Sequence, residues 1–150
     1  MLTIVREPEG NDRPLASRLR LAVMRLNRRF RAQRTSNTVT LTQFSALSTL
    51  KKCGPITPGE LAAKEVVQPP SMTRVIAALE EAGYVSRKPH PTDGRQSIVA
   101  LTESGLGLVL ADISAREAWL DKRLAELTDV ERKTLAQAAE IIEKIAGQPD

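Results

Sequence analysis

The run Asp93-Gly94-Arg95-Gln96 sets one guanidinium on a turn, two residues from a carboxylate. An arginine on a projecting turn can enter a narrow minor groove of duplex DNA, where the negative potential is enhanced. Asp93 can hold that guanidinium through a charge-assisted pair, or act as a turn residue that bonds its own backbone. A second group lies upstream. Ser71 and Thr73 are short hydroxyl side chains that fit against phosphate or base edges without steric conflict, and Arg74 can take a phosphate or grip guanine with two parallel bonds. The alternative for Arg74 is a surface ion pair with Glu80 or Glu81. Arg87 and Lys88 offer further phosphate contacts. Gln68 and Thr57 stand at helix starts, whose N–H groups favour phosphate; simple capping is the other role open to Thr57.

Those groups need elements to hold them. Thr40-Leu41-Thr42-Gln43 and Thr57-Pro58-Gly59-Glu60 both fit capping boxes, the second with proline at the first helical position. The first opens a helix that buries Phe44, Leu47 and Leu50 and stops at Gly54-Pro55. The second opens a short helix, roughly 58–64, that buries Leu61, Ala62 and Val66. A third helix begins at Gln68-Pro69-Pro70, turns Met72, Val75 or Ile76, and Leu79 inward, and ends at Gly83. Its outer face carries Ser71, Thr73, Arg74 and Ala78. Two short helices with a tight turn and a polar outer face form a helix-turn-helix. Tyr84 to Lys88 and Ser97 to Leu101 alternate like strands, and 89–94 is dense in turn residues. That hairpin is a wing.

The flanks are helical. Leu15, Leu19, Ala22, Leu26 and Phe30 recur on one helix face, with Arg18, Arg25, Arg28, Arg29 and Arg31 around the rest. Thr102 caps a long helix over roughly 103–124, with Leu106, Val109, Leu110, Ile113, Leu120 and Leu124 at apolar positions. Thr128-Asp129-Val130-Glu131 caps a last helix in which Leu135, Ala138, Ile141, Ile142 and Ile145 can pack. These faces need each other or another copy. The spacing predicts a mainly α fold with a small β-hairpin: a winged helix-turn-helix plus a helical dimerisation region drawn from both chain termini. Residues 1–12 read as a flexible arm, 13–34 and 103–146 as the dimerisation region, and 35–102 as the DNA-binding domain.

Bulk properties narrow the partners. The chain has 150 residues, 27% charged and 41% hydrophobic, as expected of a globular protein. No apolar run reaches the ~20 residues that span a bilayer. The first ten residues lack the order of a secretion signal, and one cysteine excludes an intramolecular disulfide framework. A cytoplasmic location without membrane attachment is expected. Aromatics at 3% argue against base stacking on single strands. Residues 1–34 hold nine arginines and three acids, 35–102 seven bases and five acids, and 103–150 six bases and ten acids. A basic first two thirds and an acidic tail suit a polyanion bound on one side. There is no Gly-rich phosphate loop, no metal-ligand cluster, and a single histidine, so no catalytic site, cofactor or metal is expected. Cys53 precedes a Gly-Pro turn and reads as a small packing residue. His90 lies on the wing, within reach of phosphate.

Over about Leu15 to Ile145 the chain resembles the MarR family of bacterial transcriptional regulators. The resemblance rests on Asp93-Gly94-Arg95, on Leu101-Thr102-Glu103-Ser104-Gly105, and on Thr73-Arg74 followed by Leu79-Glu80-Glu81-Ala82-Gly83-Tyr84-Val85. Leu41-Thr42-Gln43-Phe44 and Leu127-Thr128-Asp129-Val130-Glu131 add to it. Gln68-Pro69-Pro70 departs from the family by its second proline. The resemblance implies a triangular homodimer on double-stranded DNA, with palindromic half-sites about one helical turn, roughly 34 Å, apart. It also implies repression as the commoner outcome, and release by a small aromatic or lipophilic effector. Some relatives sense peroxide through a cysteine near the start of the first helix, whereas Cys53 ends the second. Two other readings stay open: a nonspecific architectural DNA-binding protein, which would share the basic face, and a winged-helix module that binds protein. Arg95 and the basic first two thirds weigh against the latter.

Overall fold

The computed structural model describes residues 14–147; the arm expected over residues 1–12 lies outside them. The chain divides into two units, residues 1–34 and 35–150. In the first, α1 (Leu15–Ala32) follows Pro14 and buries no residue. Leu15, Leu19 and Leu26 are all exposed on it.

The second unit runs α2 (Leu41–Cys53), α3 (Pro58–Glu65), α4 (Pro69–Glu81), β1 (Val85–Pro89), β2 (Ser97–Leu101), α5 (Glu103–Ala125) and α6 (Asp129–Ala146). Its starts are set by side chains. Thr40 Oγ1 accepts from Gln43 N at 3.2 Å while Gln43 Oε1 accepts from Thr40 N at 2.8 Å. Thr57 and Glu60 repeat the exchange at 3.2 and 2.9 Å, and Thr128 and Glu131 at 3.3 and 2.9 Å. Each box satisfies backbone donors that the helix leaves orphaned, worth about 1 kcal/mol. All three follow the sequence expectation.

The Glu131 carboxyl is held below its ordinary value of 4.5 by the backbone N–H and then the hydroxyl of Thr128. The folded carboxylate binds its proton less readily than the unfolded one. Its contribution is therefore complete above about pH 4.5 and is lost as pH falls through the lower folded value. Thermal melts of wild type and Glu131→Gln should differ at pH 7, and the difference should shrink as pH falls below about 4.5. A constant difference would contradict the charged cap.

The core gathers Phe44, Leu47 and Leu50 from α2, Leu61 and Ala62 from α3, Met72, Ile76 and Leu79 from α4, Val85 and Val99 from the hairpin, and Val109 from α5. Met72, Ile76 and Leu79 sit where helical spacing puts them, with Val75 half-buried; Ala78, expected on the outer face, is half-buried as well, and Ala77 is exposed in its stead. Gly83, at φ +80°, closes α4 in the left-handed region. Tyr84 N donates to Leu79 O at 2.9 Å and Gly83 N to Glu80 O at 3.0 Å, a Schellman end that throws the chain straight into β1. The strands pair antiparallel, Val85 opposite Leu101 and Arg87 opposite Val99. Ile56 adds a short third partner: Val99 N donates to Ile56 O at 2.8 Å and Ile56 N returns at 3.2 Å. This pairing fastens the α2–α3 connection to the wing and was not evident from the residue pattern.

Val66 corrects a sequence expectation. It was expected to pack behind α3, yet it is 92% exposed and caps the helix at φ +52°, ψ 45°. A β-branched residue there costs about 1–2 kcal/mol. Asparagine tolerates the conformation, so Val66→Asn should raise Tm by about 3 °C. A lower Tm would contradict the strain.

The first half of α5 leans on the winged core. Thr102 Oγ1 donates to Gly83 O at 2.6 Å and accepts from Gly105 N at 3.1 Å. Asp112, only 2% exposed, faces Arg116 Nε at 2.6 Å, and the Arg116 guanidinium lies over the Phe44 ring at 5.5 Å. The contact is a largely buried ion pair stacked on an aromatic face. The α6 helix buries no residue, and Leu135, Ile141, Ile142 and Ile145 on it are exposed. Among the described residues no helix is long and apolar enough to cross a membrane.

Candidate nucleic-acid interface

Helices α3 and α4 form the helix-turn-helix, and α4 turns one face outward. Met72, Ile76 and Leu79 anchor it, which leaves Ser71, Thr73, Arg74 and Ala77 exposed. Arg74 makes no ion pair among the described residues, and Glu80 is held by Arg87, Nε to Oε2 at 2.9 Å. The expected alternative for Arg74, a pair with Glu80 or Glu81, is not formed. Ser71 offers a hydroxyl with no partner among the described residues. Thr73 is different: its Oγ1 donates to Pro69 O at 3.0 Å, so its proton is turned back onto its own helix.

The start of α4 is stiff and poor in donors. Pro69 and Pro70 occupy its first two positions and have no N–H, and Met72 N is bonded to Gln68 O at 3.0 Å. Of the N–H groups that usually attract phosphate there, only that of Ser71 is left. Gln68, whose side chain makes no cap bond, is exposed at this end. Thr57 instead performs the plain capping role.

The hairpin carries the second group. Lys88 is exposed near its end with no partner among the described residues, while Arg87 is held half-exposed by Glu80. The tip is a pair of nested turns. His90 N donates to Gln96 O at 3.0 Å and Gln96 N to Asp93 O at 3.1 Å. Asp93 Oδ1 accepts the backbone N–H of Arg95 at 3.1 Å. The expected pair between the Asp93 carboxylate and the Arg95 guanidinium is absent, and Asp93 has the turn role instead. The Arg95 side chain is exposed. A cleft of about 350 Å³ lined by Arg95, Gln96 and Ser97 on one side and Thr57, Pro58 and Gly59 on the other lies between the tip and the start of α3.

Sequence reasoning had not found the Arg87–Glu80 pair, the His90 contacts at the tip, or the Asp112–Arg116–Phe44 stack behind the domain. Cys53 is exposed, against the packing role expected of it. Among the described residues no group of three or more His, Cys, Asp or Glu could hold a metal ion.

Comparison with known proteins places this geometry. Residues 39–97, from the α2 start through the wing tip, match the model of the MarR family. An uncharacterized HTH-type transcriptional regulator of Mycobacterium bovis is 53% identical over 132 residues, 88% of this chain and 92% of its own. The HTH-type transcriptional repressor MdtR of Bacillus subtilis is 31% identical over 108 residues, 72% of this chain and 68% of MdtR. The structure of a MarR family protein from Bacillus stearothermophilus superposes with a TM-score of 0.75 at 25% identity, over 89% of this chain and 94% of that one. With an outward-facing second helix, a basic wing and a relative 53% identical over 92% of its own length, the chain belongs to the MarR family of winged helix-turn-helix transcriptional regulators.

Proposed function

We propose that this regulator binds a palindromic operator as a homodimer, represses transcription there, and is released by a small aromatic or lipophilic ligand. The observation that carries the DNA reading is the pairing of two unengaged cations, Arg74 on α4 and Arg95 on the wing tip, on elements that present them to solvent. Arg74, Ser71, Thr73 and Gln68 serve the major groove and its phosphates. Arg95 serves the flanking minor groove, Lys88 and Arg87 the backbone, and Asp93 the turn that carries Arg95.

Dimerisation is supported by the apolar faces of α1 and α6, neither of which buries a residue. Leu19 and Leu26 in the first unit, and Leu106, Leu110, Leu135 and Ile142 in the second, are exposed large apolar side chains that a second copy could cover. Residues 13–34 and 103–146 are therefore assigned to the dimer and 35–102 to DNA. Repression is supported by MdtR, which is named a repressor, and by the ability of a dimer seated on a promoter to block polymerase. A ligand that fits one spacing of the two reading heads would shift the population away from the DNA-competent form. A cytoplasmic site of action and a non-enzymatic role accompany this reading.

The test is a hydroxyl-radical footprint on a duplex enriched by the protein from a random pool. Two protected patches about one helical turn apart, at two chains per duplex, are expected. A single patch at one chain per duplex would overturn the dimeric reading.

A further inference from the structure

The wing tip is gathered around the ring of His90. His90 Nδ1 lies 3.1 Å from Asp93 N and 3.2 Å from Thr92 N. Two backbone N–H groups aimed at one ring nitrogen require its lone pair, so Nδ1 is bare and the ring proton sits on Nε2. Thr92 Oγ1 stands 3.3 Å from the same nitrogen. The imidazole thus does at residue 90 what a capping carboxylate does at a helix start. It gathers the donors of a turn whose entry is stiffened by Pro91.

The bonds run in series. His90 Nδ1 holds Asp93 N, and Asp93 Oδ1 holds Arg95 N. His90 N and Gln96 N close the loop from the other side. Among the described residues the Arg95 guanidinium has no partner, so its place on the tip is set by the turn that carries its backbone.

We propose that His90 is a positioning residue for Arg95: its bare Nδ1 clasps the Thr92–Asp93 backbone and thereby presents the Arg95 guanidinium to DNA. The inference rests on the wing contact proposed above. It assigns to His90 a role through its inward nitrogen, whereas a direct phosphate contact would use the outward Nε2–H.

Two substitutions separate those nitrogens. The side-chain oxygen of asparagine falls near the position of Nδ1, and the amide of glutamine near that of Nε2. Binding is measured by fluorescence anisotropy on the duplex enriched by the wild-type protein, at fixed salt. His90→Asn should stay within about twofold of wild type. His90→Gln and His90→Ala should each weaken binding about fivefold, the effect of losing one weak net hydrogen bond at each of the two wings. In an Arg95→Ala background, His90→Ala should add almost nothing, because nothing remains to be positioned.

If His90→Gln binds as wild type while His90→Asn fails, the contact is a direct one through Nε2 and the clasp is wrong. Full additivity in the double variant also overturns it. If Arg95→Ala binds as wild type, the wing contact itself fails, and the role of His90 fails with it. Ring ¹⁵N shifts of the free wild-type protein give a check independent of any variant: a proton on Nε2 is expected, and a proton on Nδ1 overturns the clasp.

Discussion

Arg95→Ala should weaken operator binding at least tenfold and leave the dimer and its melting temperature unchanged. The side chain is exposed and only the backbone N–H of Arg95 is bonded, to Asp93 Oδ1 at 3.1 Å. Alanine keeps that N–H, so the tip should survive, and stability should move by less than about 0.5 kcal/mol. The lost contact counts twice in a dimer, and about 0.7 kcal/mol per wing already gives tenfold. The plot of log affinity against log salt should also flatten by about two charges. The opposite pattern, a lower melting temperature with unchanged binding at matched salt, would assign Arg95 to structure.

Gly105→Ala should be the most destabilising of the substitutions considered, although alanine is ordinarily the better helix former. A Cβ at Gly105 would stand 2.1 Å from Tyr84 O and 3.0 Å from Tyr84 C, with Leu101 Cδ2 at 3.2 Å. The first neighbour is backbone, fixed by Thr102 N at 3.1 Å and by the end of α4, so it has little room to yield. The helical gain of about 1 kcal/mol is outweighed by overpacking of about 3 kcal/mol or more. A fall in Tm of about 5–10 °C is expected. Because α5 must tilt away from the wing to admit the methyl group, DNA affinity should fall as well. A stability equal to wild type would mean that α5 does not rest on Tyr84 as described. Gly107 has nothing within 4 Å of an added Cβ, and Gly107→Ala serves as the control that should not lose stability.

Much of this architecture is legible in the residues because its signals are local. The three capping boxes announce their helices within four residues, Gly83 announces the end of α4, and Met72, Ile76 and Leu79 repeat at a helical spacing. What escapes is set by tertiary neighbours. Ile56 pairs through a single bridge, which leaves no alternation to read. Val66 looks apolar and buried, but the turn into α4 needs a left-handed residue there and places its side chain in water. Asp112 looks like a solvated acid, yet the Phe44 ring and Arg116 make it a buried one. The need for glycine at 105 comes from a carbonyl 21 positions earlier in the chain.

The candidate site divides in the same way. Residue types alone single out Arg74 and Arg95, and both are unengaged among the described residues. The types do not say which charges are already spent. Glu80 takes Arg87 rather than Arg74, Thr73 bonds Pro69 O, and Asp93 bonds backbone instead of guanidinium. Each outcome depends on which partner is closest after folding, and spacing in sequence does not encode that distance. Two prolines at the start of α4 remove donors that a phosphate would otherwise use, which shifts the expected contacts there onto Gln68 and Ser71.

The most direct test of sequence-specific regulation is anisotropy of the purified protein on the enriched duplex and on a scrambled duplex of the same composition, at two salt concentrations. The account predicts a preference of about 10³-fold or more, with a steep salt dependence on both. Equal affinity for the two duplexes would contradict it and leave an architectural DNA-binding protein.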